Sequence, residues 1–413
     1  MSNVLGLKCV LCGAEYGQQE VDYVCPKHGN EGILDVVYDY AAVKRRLSRS
    51  DLDKCRDYSI WRYSELLPID RRELVPPLQV GWTPLYPVQR LRALLELPNL
   101  YVKDDGRNPS ASFKDRASAM GIVRARELGR DIMTAASTGN AAASLACLAA
   151  SVGLPTYIFV PERAPQAKLA QLLVFGANVI MVHGTYDQAF DLCLQASAEY
   201  GWYSRNTAYN PYLSEGKKTA ALEICEQLNW QAPDKIFVSV GDGCIIGGLW
   251  KGLCDLRALG FIERVPQLIG VQAEGSAVLA KAWQEGTESI TPIVPQTIAD
   301  SISVGVPRDA IKALRAVRQS GGQFVTVSDA EILDAMRLLS RVGGVFGEPA
   351  GVTGFAGLRK LLELGRVRPE EHIVVLVTGN GLKDVQSAIQ AVGKPHLIEP
   401  DVGALRTLMA QLN

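Results

Sequence analysis

Lys114 stands in an unusual setting for its residue type. It lies between Ser112 and Asp115, two residues with the spacing of a capping box, so we predict that Ser112 caps a helix and that Lys114 lies in its first turn. The amino end of a helix carries partial positive charge and disfavours an ammonium group. A neutral amine, or an imine formed with an aldehyde, suits this position better. The alternative is a solvated surface lysine, which is the commonest state of this residue type.

A second stretch, Ser137-Thr138-Gly139-Asn140, precedes an alanine-rich segment that is typical of a helix. Small residues let backbone N–H groups approach a ligand, and the two hydroxyls add further donors. Such a loop at the start of a helix suits a carboxylate. The alternative is a plain turn in which Asn140 is the N-cap.

A third stretch, Gly241-Asp242-Gly243-Cys244-Ile245, follows an apolar segment that is typical of a strand. Its two glycines and the helix expected after them can form a phosphate cradle from backbone N–H groups. The stretch is not a dinucleotide fingerprint, because position 246 is isoleucine where that pattern needs a third glycine. It is not a P-loop either, since no Gly-Lys-Ser/Thr follows.

These loops belong to a pattern in which short apolar strands alternate with longer helices from Leu100 onward. We predict strands at 100–103, 131–136, 156–160, 178–182, 235–240 and 373–378, and helices at 113–127, 140–152 and 166–175. This alternation predicts an α/β fold with parallel sheets, in which ligands bind beyond the carboxyl ends of the strands. An α/β protein without catalytic activity would show the same alternation. Residues 40–67 are expected to be mainly helical.

The composition argues against several classes of partner. The 43 basic and 44 acidic residues nearly cancel, which gives no electrostatic signal for nucleic acid or an anionic membrane. No apolar run is long enough to cross a bilayer, and the first residues lack the apolar core of a signal peptide. Nine cysteines in so long a chain fit a reducing compartment. We therefore expect a soluble, cytoplasmic protein without nucleic-acid or membrane partners.

The N-terminal region has the spacing of a metal site. Cys9 and Cys12 form one close pair, and Cys25 and His28 form another. Sulfur and nitrogen ligands in two such pairs suit tetrahedral zinc, and four protein ligands leave no open position for catalysis. We predict a structural zinc ion. The alternative is a metal-free hairpin with incidental thiols, since Cys-x2-Cys pairs also serve redox roles.

Taken together, the motifs resemble the threonine synthase group of fold-type II (tryptophan synthase β class) enzymes that depend on pyridoxal 5′-phosphate (PLP). The resemblance rests on Ser-Phe-Lys-Asp-Arg at 112–116, Ser-Thr-Gly-Asn at 137–140 and Thr-Gly-Asn-Gly-Leu-Lys-Asp at 378–384. It implies two α/β domains behind a small zinc-ribbon-like β module, and a homodimer. The expected limits are 1–38 for the ribbon, 39–77 for a linker region, 78–105 with 222–413 for the large PLP-binding domain, and 106–221 for the small domain.

The resemblance also implies residue roles. Lys114 would hold PLP as a Schiff base and shuttle protons, with Phe113 beside the ring, Asn140 on its 3′-oxygen and Thr378 at the pyridine nitrogen. A neutral hydroxyl at that nitrogen makes the ring a weaker electron sink, which suits elimination and replacement more than transamination. The substrate carboxylate would bind Ser137, Thr138 and Gly139, and the cofactor phosphate would bind Gly241, Asp242, Gly243, Cys244 and Ile245.

The implied reaction converts O-phospho-L-homoserine and water to L-threonine and phosphate. Two departures from the family pattern concern the substrate: Leu213 stands where an arginine is expected, and Asp242 lies in the glycine-rich loop. Arg205, Lys217 or Arg308 could compensate. The alternatives are a sibling enzyme acting on O-phosphoserine in a cysteate synthase-like reaction, a threonine or serine dehydratase-like enzyme, and a non-catalytic regulator that has kept only the fold.

Overall fold

The computed structural model describes residues 3–164 and 166–412, so the first two residues of the predicted ribbon lie outside the described part. The strands are β1 Val4–Cys9, β2 Glu15–Tyr16, β3 Leu34–Tyr38, β4 Leu85–Tyr86, β5 Leu100–Asp104, β6 Met133–Ala136, β7 Thr156–Pro161, β8 Asn178–Val182, β9 Tyr203–Ser204, β10 Lys235–Ser239, β11 Gln267–Ala273, β12 Gln323–Val327 and β13 Ile373–Val377.

Fifteen α-helices are described between or after these strands. They are α1 Tyr40–Arg46, α2 Arg49–Lys54, α3 Gln89–Leu95, α4 Lys114–Glu127, α5 Asn140–Ala150, α6 Gln166–Val174, α7 Tyr186–Tyr200, α8 Tyr212–Gln227, α9 Cys244–Leu259, α10 Val278–Gln284, α11 Ala310–Gln319, α12 Asp329–Gly343, α13 Pro349–Glu363, α14 Val385–Val392 and α15 Val402–Leu412. In this part of the chain, no helix has both the length and the apolar character that crossing a bilayer requires.

The larger sheet has six strands in the order β12-β11-β10-β13-β5-β4. Every pair is parallel except β4 with β5, which is antiparallel. The central strands β10 and β13 are buried along their whole length, because helices cover both faces of the sheet. Their carboxyl ends lead into the two glycine-containing loops at 240–243 and 378–380.

The second sheet has four parallel strands in the order β8-β7-β6-β9. Strand β6 leads into residues 137–139 and then into α5. Small side chains fill the interior here, including Ala142, Ala143 and Ala146 of α5, so the helix can lie close to the sheet. This sheet therefore positions the predicted carboxylate loop.

The third sheet is antiparallel, in the order β2-β1-β3, and lies at the N-terminus. It packs on α8, where the Tyr38 hydroxyl donates to Glu215 Oε2 at 2.6 Å. The connection between β2 and β3 also reaches β9, because the Tyr23 hydroxyl accepts a hydrogen bond from the Ser204 N–H at 3.0 Å. The N-terminal sheet thus supports elements that lead to the site described below.

The region 40–67 is only partly the helix that was predicted. It forms α1, α2 and a 3-10 helix at Ile60–Leu66. The side chain of Asp39 caps α1, and Ser48 forms a capping box with Asp51 at the start of α2. Each cap begins a new helix, so the region is divided into short pieces.

Candidate active site

Lys114 is the first residue of α4, after the loop that follows β5. Its side chain is half-buried, and within residues 3–164 and 166–412 its ammonium has no hydrogen-bond or ion-pair partner. Burial, together with the nearby cations Lys217 and Arg205, lowers the pKa of Lys114 to about 8. A neutral amine is therefore accessible near neutral pH, as a lysine that reacts with a carbonyl group requires.

The predicted cap by Ser112 is wrong. Helix α4 follows Phe113 without a side-chain cap, and the buried Ser112 hydroxyl has no partner among the described residues. The Asp115 carboxylate instead accepts hydrogen bonds from the N–H and the hydroxyl of Ser110, at 2.7 Å and 2.5 Å. Asp115 thus fixes the loop before the helix, and the helix begins one residue later than a Ser112 cap requires.

The end of β13 lies beside the start of α4. The Phe113 N–H donates to the Thr378 carbonyl at 2.8 Å, and the Asn380 N–H donates to the Ala111 carbonyl at 3.0 Å. Thr378 is buried, and within the described chain its hydroxyl has no hydrogen-bond partner. The segments that carry Lys114 and Thr378 are far apart in sequence but adjacent in the fold. Each brings to this place a polar side-chain group without a partner in the described chain.

Asn140 begins α5 and contacts a carboxylate that was missing from the predicted site. Its side-chain amide donates to Glu348 Oε1 at 2.6 Å and to Ser301 Oγ at 3.4 Å. Burial raises the pKa of Glu348 to about 7, against the opposing effects of Asn140, Lys383 and Lys114. The available signal was a glutamate directly before Pro349 at the start of an apolar helix, because proline marks a first turn.

Residues 137–139 connect β6 to α5. Gly139 is the N-cap, and no side chain caps the helix. The Ser137 hydroxyl accepts a hydrogen bond from the Gly139 N–H at 3.2 Å, and Thr138 is half-buried. An uncapped helix start with two hydroxyls beside it can bind a carboxylate.

The loop at 241–245 connects β10 to α9. Gly243 has a φ of +90°, and a Cβ on Gly241 would lie 2.8 Å from Ile302 Cα, so both positions require glycine. No side chain caps α9, which leaves its first N–H groups available to an anion. Asp242 Oδ1 accepts a hydrogen bond from the Arg308 N–H at 3.2 Å, so the chain's own backbone holds this acid.

The three cations suggested as compensation for Leu213 differ in position. Arg308 is partly exposed and pairs with Asp187 at 3.3 Å. Arg205 and Lys217 are buried, and both lie close enough to Lys114 to lower its pKa. The structure thus brings two of the three toward the lysine.

Leu213 itself is a packing residue. It is fully buried on α8, and a Cβ added to Gly121 of α4 would lie 3.1 Å from Leu213 Cδ2. An arginine here would need to leave the interface between α4 and α8. The apolar side chain therefore serves the contact between these two helices.

The family of pyridoxal-phosphate dependent enzymes matches residues 77–379, which contain Lys114, the loops at 137–139 and 241–245, and Thr378. This chain belongs to that family. Threonine synthase from Methanocaldococcus jannaschii is 41% identical over 407 residues, covering 98% of this chain and 99% of that protein. Threonine synthase from Methanosarcina acetivorans is 40% identical over 404 residues, covering 97% of each. The predicted family and the dependence on PLP are confirmed.

Solved structures are similar in fold. The processed form of threonine deaminase isoform 2 from Solanum lycopersicum matches with a TM-score of 0.65 and 23% identity, over 75% of this chain and 87% of that one. Diaminopropionate ammonia lyase from Escherichia coli matches with a TM-score of 0.65 and 19% identity, over 84% and 92%. The α/β architecture of fold-type II PLP enzymes, with helices and mixed sheets, is thereby confirmed.

The site residues fit PLP by their chemistry. The free amine of Lys114 suits an aldehyde, and the uncapped start of α9 with its glycine cradle suits a phosphate. Thr378 offers a hydroxyl without a partner in the described chain beside the start of α4, where Lys114 lies. The aldehyde, the phosphate and the ring nitrogen of PLP thus each have a matching group in this chain.

The N-terminal cysteines also come together. The ligand atoms of Cys9, Cys12, Cys25 and His28 all lie within 4.8 Å of one another. Turns hold both pairs, because the Gly13 N–H donates to the Cys9 carbonyl at 2.9 Å and the His28 N–H to the Cys25 carbonyl at 3.0 Å. Tetrahedral zinc with thiolate ligands places neighbouring sulfur atoms about 3.8 Å apart, and Cys12 Sγ lies 4.0 Å from Cys25 Sγ.

Proposed function

We propose that this chain is a threonine synthase, a PLP-dependent lyase that converts O-phospho-L-homoserine and water to L-threonine and phosphate. The observation that carries the proposal is the match to two archaeal proteins of that name across nearly the full length of all three chains. The free Lys114 amine, at the start of a helix in a buried polar site, supports it independently.

The residue roles in this proposal are those that the family resemblance implies. Lys114 would anchor the cofactor, with Phe113 beside the ring, Asn140 at its 3′-oxygen and Thr378 at its nitrogen. The start of α5 receives the substrate carboxylate through Ser137, Thr138 and Gly139. The start of α9 receives the cofactor phosphate through Gly241, Asp242, Gly243, Cys244 and Ile245.

When bound, PLP supplies an electron sink for negative charge at the substrate's α-carbon. Lys114 would take the α-proton, and its lowered pKa suits a base that works near neutral pH. The start of α5 holds the carboxylate, so that the α-hydrogen stays in reach of Lys114.

The overall reaction moves one hydrogen from Cβ to Cγ and breaks the bond from Cγ to the phosphate oxygen. Water gives its hydroxyl to Cβ and its other proton to the departing phosphate. Lys114 and Glu348 both have pKa values near neutrality, about 8 and about 7. These two can exchange protons at Cβ and Cγ without a large free-energy cost.

Incubation with O-phosphohomoserine tests the proposal. Wild-type protein loaded with PLP should release phosphate and threonine in equal amounts, and Lys114→Ala should release neither. The apolar Leu213 keeps O-phosphoserine as a second candidate substrate, with threonine and serine for a dehydratase-like enzyme. Turnover of one of these without turnover of O-phosphohomoserine would reassign the substrate and leave the cofactor in place.

We further propose that Cys9, Cys12, Cys25 and His28 hold one structural zinc ion. The support is the convergence of three thiols and one imidazole from two turns. Protein purified without chelator should contain about one equivalent of zinc, because sites of this kind bind tightly. Cys12→Ser should lose it, whereas Cys254→Ser, outside the cluster, should retain it; less than a tenth of an equivalent in wild type would refute the site.

Three predictions from the sequence remain proposals. The domain limits are supported by the sheets, since the six-stranded sheet uses strands from 85–104 and 235–377 and the four-stranded sheet uses strands from 133–204. The homodimer rests on the family resemblance and is tested by sedimentation or light scattering. The cytoplasmic location rests on the composition of the chain.

A further inference from the structure

Eight lysine and arginine residues are buried in the described chain, and six of them have a carboxylate partner. The paired residues are Arg62, Lys103, Arg116, Arg124, Lys218 and Lys235. The other two, Arg205 and Lys217, have no carboxylate oxygen within ion-pair distance among residues 3–164 and 166–412. Both lie near Lys114.

Arg205 follows β9 and points its guanidinium toward α4. Nε donates to Ser118 Oγ at 3.0 Å, and Ser118 lies one helical turn after Lys114. Nη2 is buried and has no hydrogen-bond partner in the described chain. An arginine that is 1% exposed thus has an unused donor on the side of the cofactor lysine.

Lys217 reaches the start of α9 through one intermediate hydroxyl. Its ammonium donates to Thr207 Oγ1 at 3.0 Å, and Thr207 Oγ1 donates to Cys244 Sγ at 3.2 Å. Helices α8 and α9 pack so closely that a Cβ on Gly248 would lie 2.8 Å from Lys217 Cβ. Glycine at 248 therefore lets Lys217 lie against the first turns of the uncapped helix.

Two buried cations near each other are unfavourable without an anion. Burial lowers the pKa of Arg205 to about 10, and burial together with the charge of Arg205 lowers the pKa of Lys217. Asp309 faces both Lys312 and Lys217, but in the described chain its oxygens lie beyond hydrogen-bond and ion-pair distance of Lys217. Asp115 faces Arg205 but is held by Ser110.

We infer that Arg205 and Lys217, beside the start of α9, form a receptor for a phosphate monoester dianion. Two charges and an unused guanidinium donor match the charge and the acceptor oxygens of that group. The phosphate of PLP and the phosphate of the substrate share this chemistry. A receptor for the substrate phosphate rests on the proposed function. A receptor for the PLP phosphate requires only that the protein bind PLP.

The test compares Arg205→Met and Lys217→Met with wild type and with Lys281→Met, which removes an exposed lysine far along the chain at α10. Methionine keeps much of the side-chain length and removes the charge, so cofactor-free variants should be at least as heat-stable as wild type. Lys217→Arg, which keeps the charge, should retain part of the binding affinity that Lys217→Met loses. Binding is measured, not turnover, so the outcome is separate from that of the threonine synthase proposal.

Two binding assays identify the source of the phosphate. In the first, cofactor-free protein is titrated with PLP and with pyridoxal, which lacks the phosphate. In the second, PLP-loaded protein is titrated with inorganic phosphate at constant ionic strength, followed by calorimetry. Loss of a charge-assisted contact should weaken binding of the relevant phosphate about ten- to a hundredfold.

A loss of affinity for PLP but not for pyridoxal assigns the receptor to the cofactor phosphate. Unchanged PLP affinity with loss of inorganic phosphate binding to the loaded protein assigns it to the substrate phosphate. If both methionine variants match wild type and Lys281→Met in both assays, the inference is overturned.

Discussion

Replacing Arg116 with methionine should reduce the free energy of unfolding by about 3–5 kcal/mol, because the change leaves a buried carboxylate without its partner. Arg116 is fully buried two residues after Lys114. Its guanidinium binds Asp105 at 2.6 Å and 2.9 Å, and Glu223 at 2.5 Å and 2.8 Å. This ion cluster joins α4 to α8 and to the loop after β5.

Glu223 and Asp105 would lose unequal shares of their ion-pair partners. Glu223 keeps Lys103, whose ammonium lies 2.6 Å from Glu223 Oε2. Asp105 keeps only the hydroxyl of Thr83, at 2.6 Å, and no cation. One charge is therefore left uncompensated, so the expected loss is that of one orphaned ion and not of two.

The loss should depend on pH. Arg116 and Lys103 lower the pKa of Glu223 to about 2, against the effect of burial. A carboxyl whose folded pKa lies below its unfolded value, near 4.5, stabilises the fold above that value and loses this contribution as the pH falls toward about 2. The difference between wild type and Arg116→Met should thus be full at pH 7.5 and shrink below about pH 4.5.

Urea unfolding of cofactor-free protein, followed by circular dichroism at pH 7.5 and pH 4, measures this difference. Arg359→Met is the matched control, since its pair with Glu363 at 3.9 Å is exposed and should contribute less than about 1 kcal/mol. Arg116→Lys keeps a charge but not the two-sided geometry, and should be intermediate. A loss below 1 kcal/mol in Arg116→Met at pH 7.5 would refute the reasoning.

Three further predictions concern the site and the ribbon. Lys114→Ala should lose the visible absorption of lysine-bound PLP and the covalent adduct trapped by borohydride; persistence of both would assign another lysine as the anchor. Cofactor-free wild type should lose stability as the pH rises from about 4.5 to 7, because Glu348 has a raised folded pKa and destabilises the fold as it ionises. Glu348→Gln should remove this loss. The wild type should lose up to about 3 kcal/mol over that range relative to the variant, and parallel pH profiles in urea unfolding would contradict the assignment. Cys12→Ser should lower the thermal midpoint of the zinc-loaded protein whereas Cys254→Ser should not, and equal midpoints would mean that the cluster has no structural role.

Much of the fold was predictable because its signals are local. The predicted strand at 178–182 coincides with β8, and the predicted strand at 235–240 exceeds β10 by one residue. Both are short apolar runs between turn residues. The predicted helical region 40–67 is divided into short pieces, because α1 ends at Arg46 and Ser48 then caps a new helix.

Site residues were predictable where a short sequence motif contains all the functional residues of one loop. Lys114, Asn140 and Thr378 each lie in such a motif, and the structure brings their loops together. Glu348 could not be found in this way, because its importance comes from its contact with Asn140, which is far away in sequence. Arg205 was one of three candidate cations in the sequence, and only the structure shows that its Nη2 has no partner in the described chain.

The wrong prediction for Ser112 has a physical explanation in how helices begin at this site. Side chains cap α2, α7 and α12, each with a capping box. Helices α4, α5, α9 and α13 start at the site, and none has a side-chain cap. A cap on α5 or α9 would use N–H groups that an anionic ligand needs. At α4 the local signal of Ser112 and Asp115 is overridden because Ser110 binds the Asp115 carboxylate. If carboxylate and phosphate groups bind at the starts of α5 and α9 as proposed, ligand binding should stabilise the fold.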